Sequence, residues 1–452
     1  MIRRKIEQYL KDFYKCRKEA LLVTGARQIG KTSSIREFGK KSFKRFVEIN
    51  FLETPTAKSI FDSADSSEIL LRLSAYSETK LVKGETLIFL DEIQECPDAI
   101  TAVKFLVEES SYRYILSGSL LGVELNDIRS LPVGFLTIKE MFPLDLEEFM
   151  RAVGVQSDVL ESIESAYKNK MEVDSFVHQK MMELFRLYLV IGGMPAVVAE
   201  YLKTNNIQNV VEIQRSIIAM YKKDIAKYDP QDKLYLNEIF DLIPPELNSQ
   251  NKRFILKKLN ENMRFSHFEN SFIWLKEAGV ALPVYNVDEP KLPLLLSRSR
   301  NLFKLFLNDV GLLTCQYANG IQLKILSGET NINFGSIYEN AAAAELKAHG
   351  FDLYYFNGKK QGELDFVLEL NGEVHPIEIK SGKDYKRHSA LKNVLEVSGY
   401  GIRQATVFCN DNVKPADKVL YLPIYMLMFL KNNKVELGTY KVDLGGLAGI
   451  KN

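Results

Sequence analysis

From about residue 20 to residue 149, short apolar runs alternate with stretches of helical periodicity. The runs predict strands over 21–24, 45–51, 86–90, 113–117 and 135–141. Strands that alternate with helices build a parallel sheet covered on both faces. Between about 151 and 241 the pattern turns helical and richly charged, with few strand signals. Its longest apolar stretch, 187–199, is broken by Gly192, Gly193 and Pro195, too short and too interrupted to span a bilayer. A smaller unit follows, with helices predicted over 254–259 and 272–278 and a strand over 281–287 before Pro290. The last third predicts a helix over 333–349 with a small face at Ala341 to Ala344, then strands over 352–356, 363–370 and 374–379. A helix over 391–397 and a strand over 405–409 complete an αβββαβ order, and a further strand over 419–425 follows. The expected class is α/β, divided at 1–150, 151–241, 242–296 and 297–452.

The first strand runs into Gly25-Ala26-Arg27-Gln28-Ile29-Gly30-Lys31-Thr32, with a helix over 33–38 behind it. This is the spacing of a phosphate loop: its glycines turn backbone N–H groups toward a phosphate chain. Lys31 reaches the outer phosphates, and the Thr32 hydroxyl can hold Mg²⁺. The run Leu87-Ile88-Phe89-Leu90 ends in Asp91-Glu92, acids at the tip of a buried parallel strand where α/β sheets bind ligands. Asp91 then binds Mg²⁺ through water and Glu92 polarises the attacking water, which argues ATP or GTP hydrolysis. The strand over 45–51 lies between these motifs in sequence, so they need not be sheet neighbours. The run Leu116-Ser117-Gly118-Ser119 ends beside the acids, with Ser117 or Ser119 as a polar sensor; a plain strand-end turn explains it equally well. Arg27 and Gln28 can contact phosphate or a neighbouring chain and are expected to be solvated by default. Gly192-Gly193-Met194-Pro195 is either a helix stop and start or the hinge of a helical lid.

The net charge of +1 gives no global case for nucleic acid or an acidic membrane, so any basic surface must be local. The four cysteines show no paired spacing, so neither a disulfide framework nor a zinc site is suggested. The N-terminus lacks an apolar signal core, and the chain reads as cytoplasmic and reduced, with no membrane partner. Helix, helix and strand over 242–296 are compatible with a winged helix. Lys252, Arg253, Lys257, Lys258, Arg264 and Lys276 are among its basic residues, yet the second helix offers only Asn270, Ser271 and Lys276 as polar readers.

A second constellation lies in the αβββαβ region. Asp365 sits inside an apolar strand, where an unpaired charge is expensive to bury. Glu378 and Lys380 are two apart on the next strand and share a face. Two carboxylates can hold Mg²⁺ against a phosphodiester, a lysine can steady the attacking water, and Glu339 on the preceding helix can complete the cluster. A salt-bridged pair on a hairpin is the plainer explanation of the same residues.

These motifs occur in one order with Phe142-Pro143-Leu144, Glu148-Phe149, Gly192-Gly193-Met194-Pro195, Tyr338-Glu339-Asn340, Glu363-Leu364-Asp365-Phe366 and Glu378-Ile379-Lys380. From about Ala20 to Lys383 the chain resembles a prokaryotic family of AAA-plus-like P-loop ATPases with a C-terminal PD-(D/E)XK restriction-endonuclease-like domain. The resemblance implies an AAA-like core and a nuclease-like end, between which the pattern places the helical lid and the winged-helix-like middle. It implies adenine as the base, and Gly25, Gln28, Ile29, Gly30, Lys31, Thr32, Ser33, Ser119 and Pro195 as the nucleotide-binding set. Thr32 and Asp91 would serve Mg²⁺, with Glu339, Asp365 and Glu378 as a second metal set. Glu92, Asp365, Glu378 and Lys380 are the implied catalytic residues; DNA and a second copy of the chain are the implied further partners. Relatives often carry an arginine after the glycine of 131–134, and Phe135 stands there in this chain, leaving a trans-acting arginine unsupported.

Overall fold

The structure, a computed structural model, describes residues 2–63, 65–119, 134–228, 233–249, 252–255, 268–318, 320–329 and 334–432. Five parallel strands form the first sheet: β1 (Ala20–Thr24), β2 (Arg45–Asn50), β3 (Thr86–Asp91), β4 (Arg113–Ser117) and β5 (Leu136–Glu140). Their order is β2-β3-β4-β1-β5. The strand inserted between the phosphate-loop strand and the acidic strand is therefore β4, while β2 lies at the edge. Burial explains the placement: β3 is buried at every position and β4 at four of five, whereas β2 alternates toward solvent. Only strands apolar on both faces can occupy the middle of such a sheet.

Residues beyond the sheet are helical: Leu146–Ala152, Ser157–Asn169, Ser175–Ile191, Pro195–Thr204, Ile207–Tyr228 and Lys233–Leu247. Among the described residues no single helix is long and apolar enough to cross a membrane. The apolar stretch 187–199 belongs to two helices bent by 120° at the Gly-Gly break, and Leu189, Val190, Ile191, Met194, Val197 and Val198 are all buried.

The second sheet is mixed and eight-stranded. Its members are β6 (Ala281–Val287), β7 (Arg298–Leu307), β8 (Tyr354–Gly358), β9 (Gly362–Leu370), β10 (Glu373–Ile379), β11 (Ala405–Cys409), β12 (Lys414–Ala416) and β13 (Val419–Pro423). They run in the order β12-β13-β11-β10-β9-β8-β6-β7. With the helices Gly335–Ala348 and Ser389–Glu396, the order of elements from Gly335 on is the one read from the pattern, except for the short strand β12, which the pattern did not predict. The strand expected beside a winged unit, β6, pairs instead with β7 and, in parallel, with β8. Five of its seven residues are buried, a demand that an interior strand meets and an exposed wing does not. Of the helix expected over 254–259, Phe254 and Ile255 are not helical, and 256–260, like Arg264 and the segment 131–133, lie outside the described residues. The helix Glu269–Glu277 forms as expected, but Ser271 is buried with Phe272, Trp274 and Leu275 and faces the core instead of a reading surface.

One apolar core runs from β1 and β3 through the helices of 146–247 to Gly335–Ala348 and β9. A second cluster fills the other face of the first sheet, and a third lies under the second sheet. The helices of 146–247 thus pack directly against the C-terminal unit.

Candidate functional sites

Strand β1 delivers the chain into the loop at Gly25, whose φ of 126° suits glycine alone. A methyl group there would meet the Met141 carbonyl oxygen at 2.2 Å, so the position is closed as well as strained. Gly30, also left-handed at φ 91°, stands at the N-terminus of the helix Lys31–Ser42, where free N–H groups and the helix dipole favour an anion. The Lys31 ammonium is buried and donates to the carbonyls of Gly25 at 2.9 Å and Ala26 at 2.7 Å. Burial pulls its pKa down to about 8 against the opposing charges of Glu92 and Asp91.

Asp91 collects three donors at the sheet edge. The Thr32 hydroxyl donates to it at 3.1 Å, the Asn50 amide at 3.3 Å, and the Ser117 hydroxyl to its second oxygen. Glu92 follows with a left-handed backbone and accepts from the Gln94 amide at 2.6 Å. Ser117, on β4, is the serine that touches the acidic strand. Ser119 instead accepts from the Arg27 guanidinium at 3.2 Å. Arg27 also pairs with Asp224 at 2.5 Å, and its carbonyl accepts from the Tyr221 hydroxyl at 3.3 Å. Gln28 reaches the Met220 sulfur at 3.4 Å. Arg27 is not merely solvated, because the helix Ile207–Tyr228 lies across it, whereas Gln28 is exposed beside that helix.

The other side of the loop faces a cavity of about 820 Å³, lined in part by Arg3, Arg4, Gly30, Ser33, Arg151 and Pro195. That volume lies in the range of small-ligand sites. Ser33 turns its hydroxyl back to the Gly30 carbonyl at 3.0 Å. Arg4 is buried and donates to the carbonyls of Ile29 at 2.7 Å and Phe142 at 2.8 Å and to Glu148 at 3.0 Å. No sequence pattern marks Arg4; its partners lie up to 144 residues away.

In the C-terminal unit the fold brings Glu339, Asp365, Glu378 and Lys380 together. Asp365 accepts from the Ile379 N–H at 2.9 Å, and Lys380 pairs with Glu378 at 2.6 Å. Two lysines that sequence reading did not connect to the cluster join it. Lys252 pairs with Glu339, and Lys304, on β7 and 0% exposed, lies 3.8 Å from Glu339 and 2.7 Å from Glu363. The surplus of acid implied by the motif alone is largely compensated. Burial, then the Asp365 charge, pushes Glu378 up to about 8 and Glu339 upward. Burial also opposes ionisation of Asp365, but Lys252, Lys304 and Lys380 outweigh it and hold that carboxyl below its usual range. Lys304 was missed because its strand begins with Arg298, Ser299 and Arg300, which reads as loop; only its second half is buried.

Residues 17–150 match the family model described as an AAA domain. This part of the chain is an AAA-type P-loop ATPase domain. Residues 182–323 and 334–427 match two models described as domains of unknown function, DUF8612 and DUF4143. Among solved structures, a Walker-type ATPase of Pyrococcus abyssi is similar at 14% identity, over 70% of this chain and 96% of that one, with a TM-score of 0.43. The ORC1 protein of Aeropyrum pernix, solved in complex with DNA, is similar at 12% identity, over 72% and 91% of the two chains, with a TM-score of 0.28. No curated protein matches the chain.

The AAA domain is joined to the rest at Gly192 and Gly193. The Gly193 carbonyl accepts from the Leu144 N–H at 2.7 Å, and its own N–H donates to Asp309 at 2.5 Å. Pro195 then starts the helix Pro195–Thr204, 3.6 Å from where a side chain on Gly30 would begin. Asp309 is buried, its other oxygen accepts from the Leu312 N–H at 2.9 Å, and burial raises its pKa to about 6. An acid in the apolar run 303–313 was the available signal, the same one that exposed Asp365. Asp309→Asn puts a donor where one of two backbone N–H groups needs an acceptor. It should cost about 1–3 kcal/mol in chemical denaturation. The parent's stability should fall as pH rises from about 4 to 6, because the folded state holds this proton more tightly than the unfolded chain. The asparagine variant should lose that slope; an unchanged slope would remove Asp309 as its source.

Proposed function

We propose that this chain binds ATP with Mg²⁺ and hydrolyses it, and that the nucleotide state sets the position of the helical lid against the AAA domain. The observation that carries the coupling is Arg27, a phosphate-loop residue shared between Ser119 and Asp224 of the lid. Lys31 and the loop N–H groups would bind the phosphates, and Ser33 and Pro195 line the cavity for the rest of the nucleotide. Thr32 and Asp91 would hold Mg²⁺, whose charge would neutralise phosphate oxygens. Their present hydrogen bond, with Asn50 and Ser117 around it, is an oxygen-rich set that fits a hard cation. Glu92 would then take the proton of the attacking water. ATP should bind more tightly than GTP in a direct titration; the reverse order would overturn the adenine assignment.

The C-terminal unit reads as a restriction-endonuclease-like fold, supported by its element order and by the meeting of Asp365, Glu378 and Lys380. Pairing of its carboxylates with Lys252 and Lys304 favours a nucleotide-gated interaction module over a DNA-cutting one. Linear, nicked and branched DNA should therefore survive incubation with Mg²⁺ or Mn²⁺ and ATP. Cleavage that disappears in both Asp365→Ala and Lys380→Ala, while ATP turnover persists, would restore the nuclease reading, with Glu339, Asp365 and Glu378 as metal ligands.

A further inference from the structure

Where the AAA domain meets the C-terminal helix, three side chains converge outside both sites above. Asp145 caps the helix Leu146–Ala152, with one oxygen accepting from the Glu148 N–H at 2.9 Å. Glu345 and His349 lie one turn apart at the end of Gly335–Ala348, with side chains only 2% and 4% exposed. Glu345 spends one oxygen on the Leu146 N–H at 2.9 Å, and its other oxygen has no hydrogen-bond partner. His349 holds its Nδ1 2.7 Å from the Leu430 carbonyl, which can only accept, so Nδ1 carries the proton. Nε2 is then free to offer its lone pair, and it too has no hydrogen-bond partner.

The two unpartnered atoms face each other. His349 Nε2 lies 3.4 Å from Glu345 Oε1 and 3.7 Å from Asp145 Oδ2. A lone pair aimed at two carboxylates is repulsive unless a cation stands between them. A proton on Nε2 is the competing answer: burial opposes it, but Glu345 and Asp145 draw the imidazole toward its protonated form. At 3.4 and 3.7 Å, however, its contacts are longer than the usual distance of about 2.7–3.2 Å for direct hydrogen bonds. A metal bound at about 2.0–2.1 Å to nitrogen and oxygen in a tetrahedral shell spaces its ligands about 3.3–3.4 Å apart, close to what is observed. An imidazole fixed through its other nitrogen to a carbonyl is also the usual arrangement of a ligating histidine. Lys5 donates to Asp145 Oδ2 at 2.6 Å and pairs with Glu147 at 2.7 Å, so it offsets part of the acid.

We propose that Asp145, Glu345 and His349 form a site for one divalent ion of the zinc class, clasping the AAA domain to the C-terminal helix. Water would supply the fourth ligand. The test uses the full chain, stripped with a chelator and titrated calorimetrically with Zn²⁺, then with Co²⁺ followed by visible absorption. The wild type should take up one Zn²⁺ and give the absorption of four-coordinate Co²⁺. Glu345→Gln and His349→Gln should each weaken uptake at least tenfold, whereas Thr32→Ala and Asp365→Asn, which alter the other two candidate metal positions, should bind as the wild type does. Glu345→Gln is isosteric and keeps an acceptor for Leu146, so it decides the matter if the histidine variant fails to fold. No uptake by the wild type, or equal uptake by Glu345→Gln, would leave only a histidine–carboxylate pair and overturn the site.

Discussion

Glu92→Gln should bind ATP about as tightly as the parent protein and lose turnover by roughly 10²–10⁴-fold. The amide keeps the shape of the side chain and can still meet the Gln94 amide, but it cannot take a proton from water. Lys31→Ala should fail differently. Its ammonium is a buried cation within the loop itself, so both binding and hydrolysis should fall, with no detectable phosphate release. Steady-state phosphate release beside a direct ATP titration separates the two outcomes. A Glu92→Gln enzyme as fast as the parent would remove Glu92 from its role, and a Lys31→Ala protein with parental affinity would undo the phosphate-loop assignment.

Gly193→Ala should be severely damaging for a single added methyl group. The added carbon would lie 2.0 Å from the Leu144 carbonyl oxygen and 2.8 Å from its nitrogen, both backbone atoms that no rotamer change can move. The same two residues exchange the hydrogen bond from Leu144 to the Gly193 carbonyl, so relief of the clash breaks the bond as well. A loss of about 3 kcal/mol or more is expected in denaturant midpoint experiments. Gly399→Ala, which meets nothing within 4 Å, is the matched control and should be near neutral. Equal midpoints for the two variants would mean that the Gly-Gly break is not closely packed.

What could be read from sequence divides along a physical line. The loop at Gly25 to Thr32 and the strand ending in Asp91 announce themselves because neighbours in sequence carry the whole signal. The element order of the C-terminal unit was legible for the same reason, through the period of its strands. The sheet order was not: the choice of β4 over β2 as the inserted strand depends on burial on both faces. Arg4, Lys252, Lys304 and Asp224 gave no warning, since each acts on a partner brought near only by the fold. For Arg27 the rule of thumb misled, because loop residues of this kind are solvated only when no helix lies across them.

The helix Gly335–Ala348 carries Glu339 near one end and Glu345 near the other, with His349 capping it. From residue 339 to residue 349 a helix spans about 15 Å. Packed as a stiff rod, it behaves as a lever: a tilt of about 10° about the Asp145 end swings Glu339 by roughly 2–3 Å. A swing of that size would break an ion pair, so the Lys252–Glu339 contact would respond to small rotations of a domain whose phosphate loop it never touches.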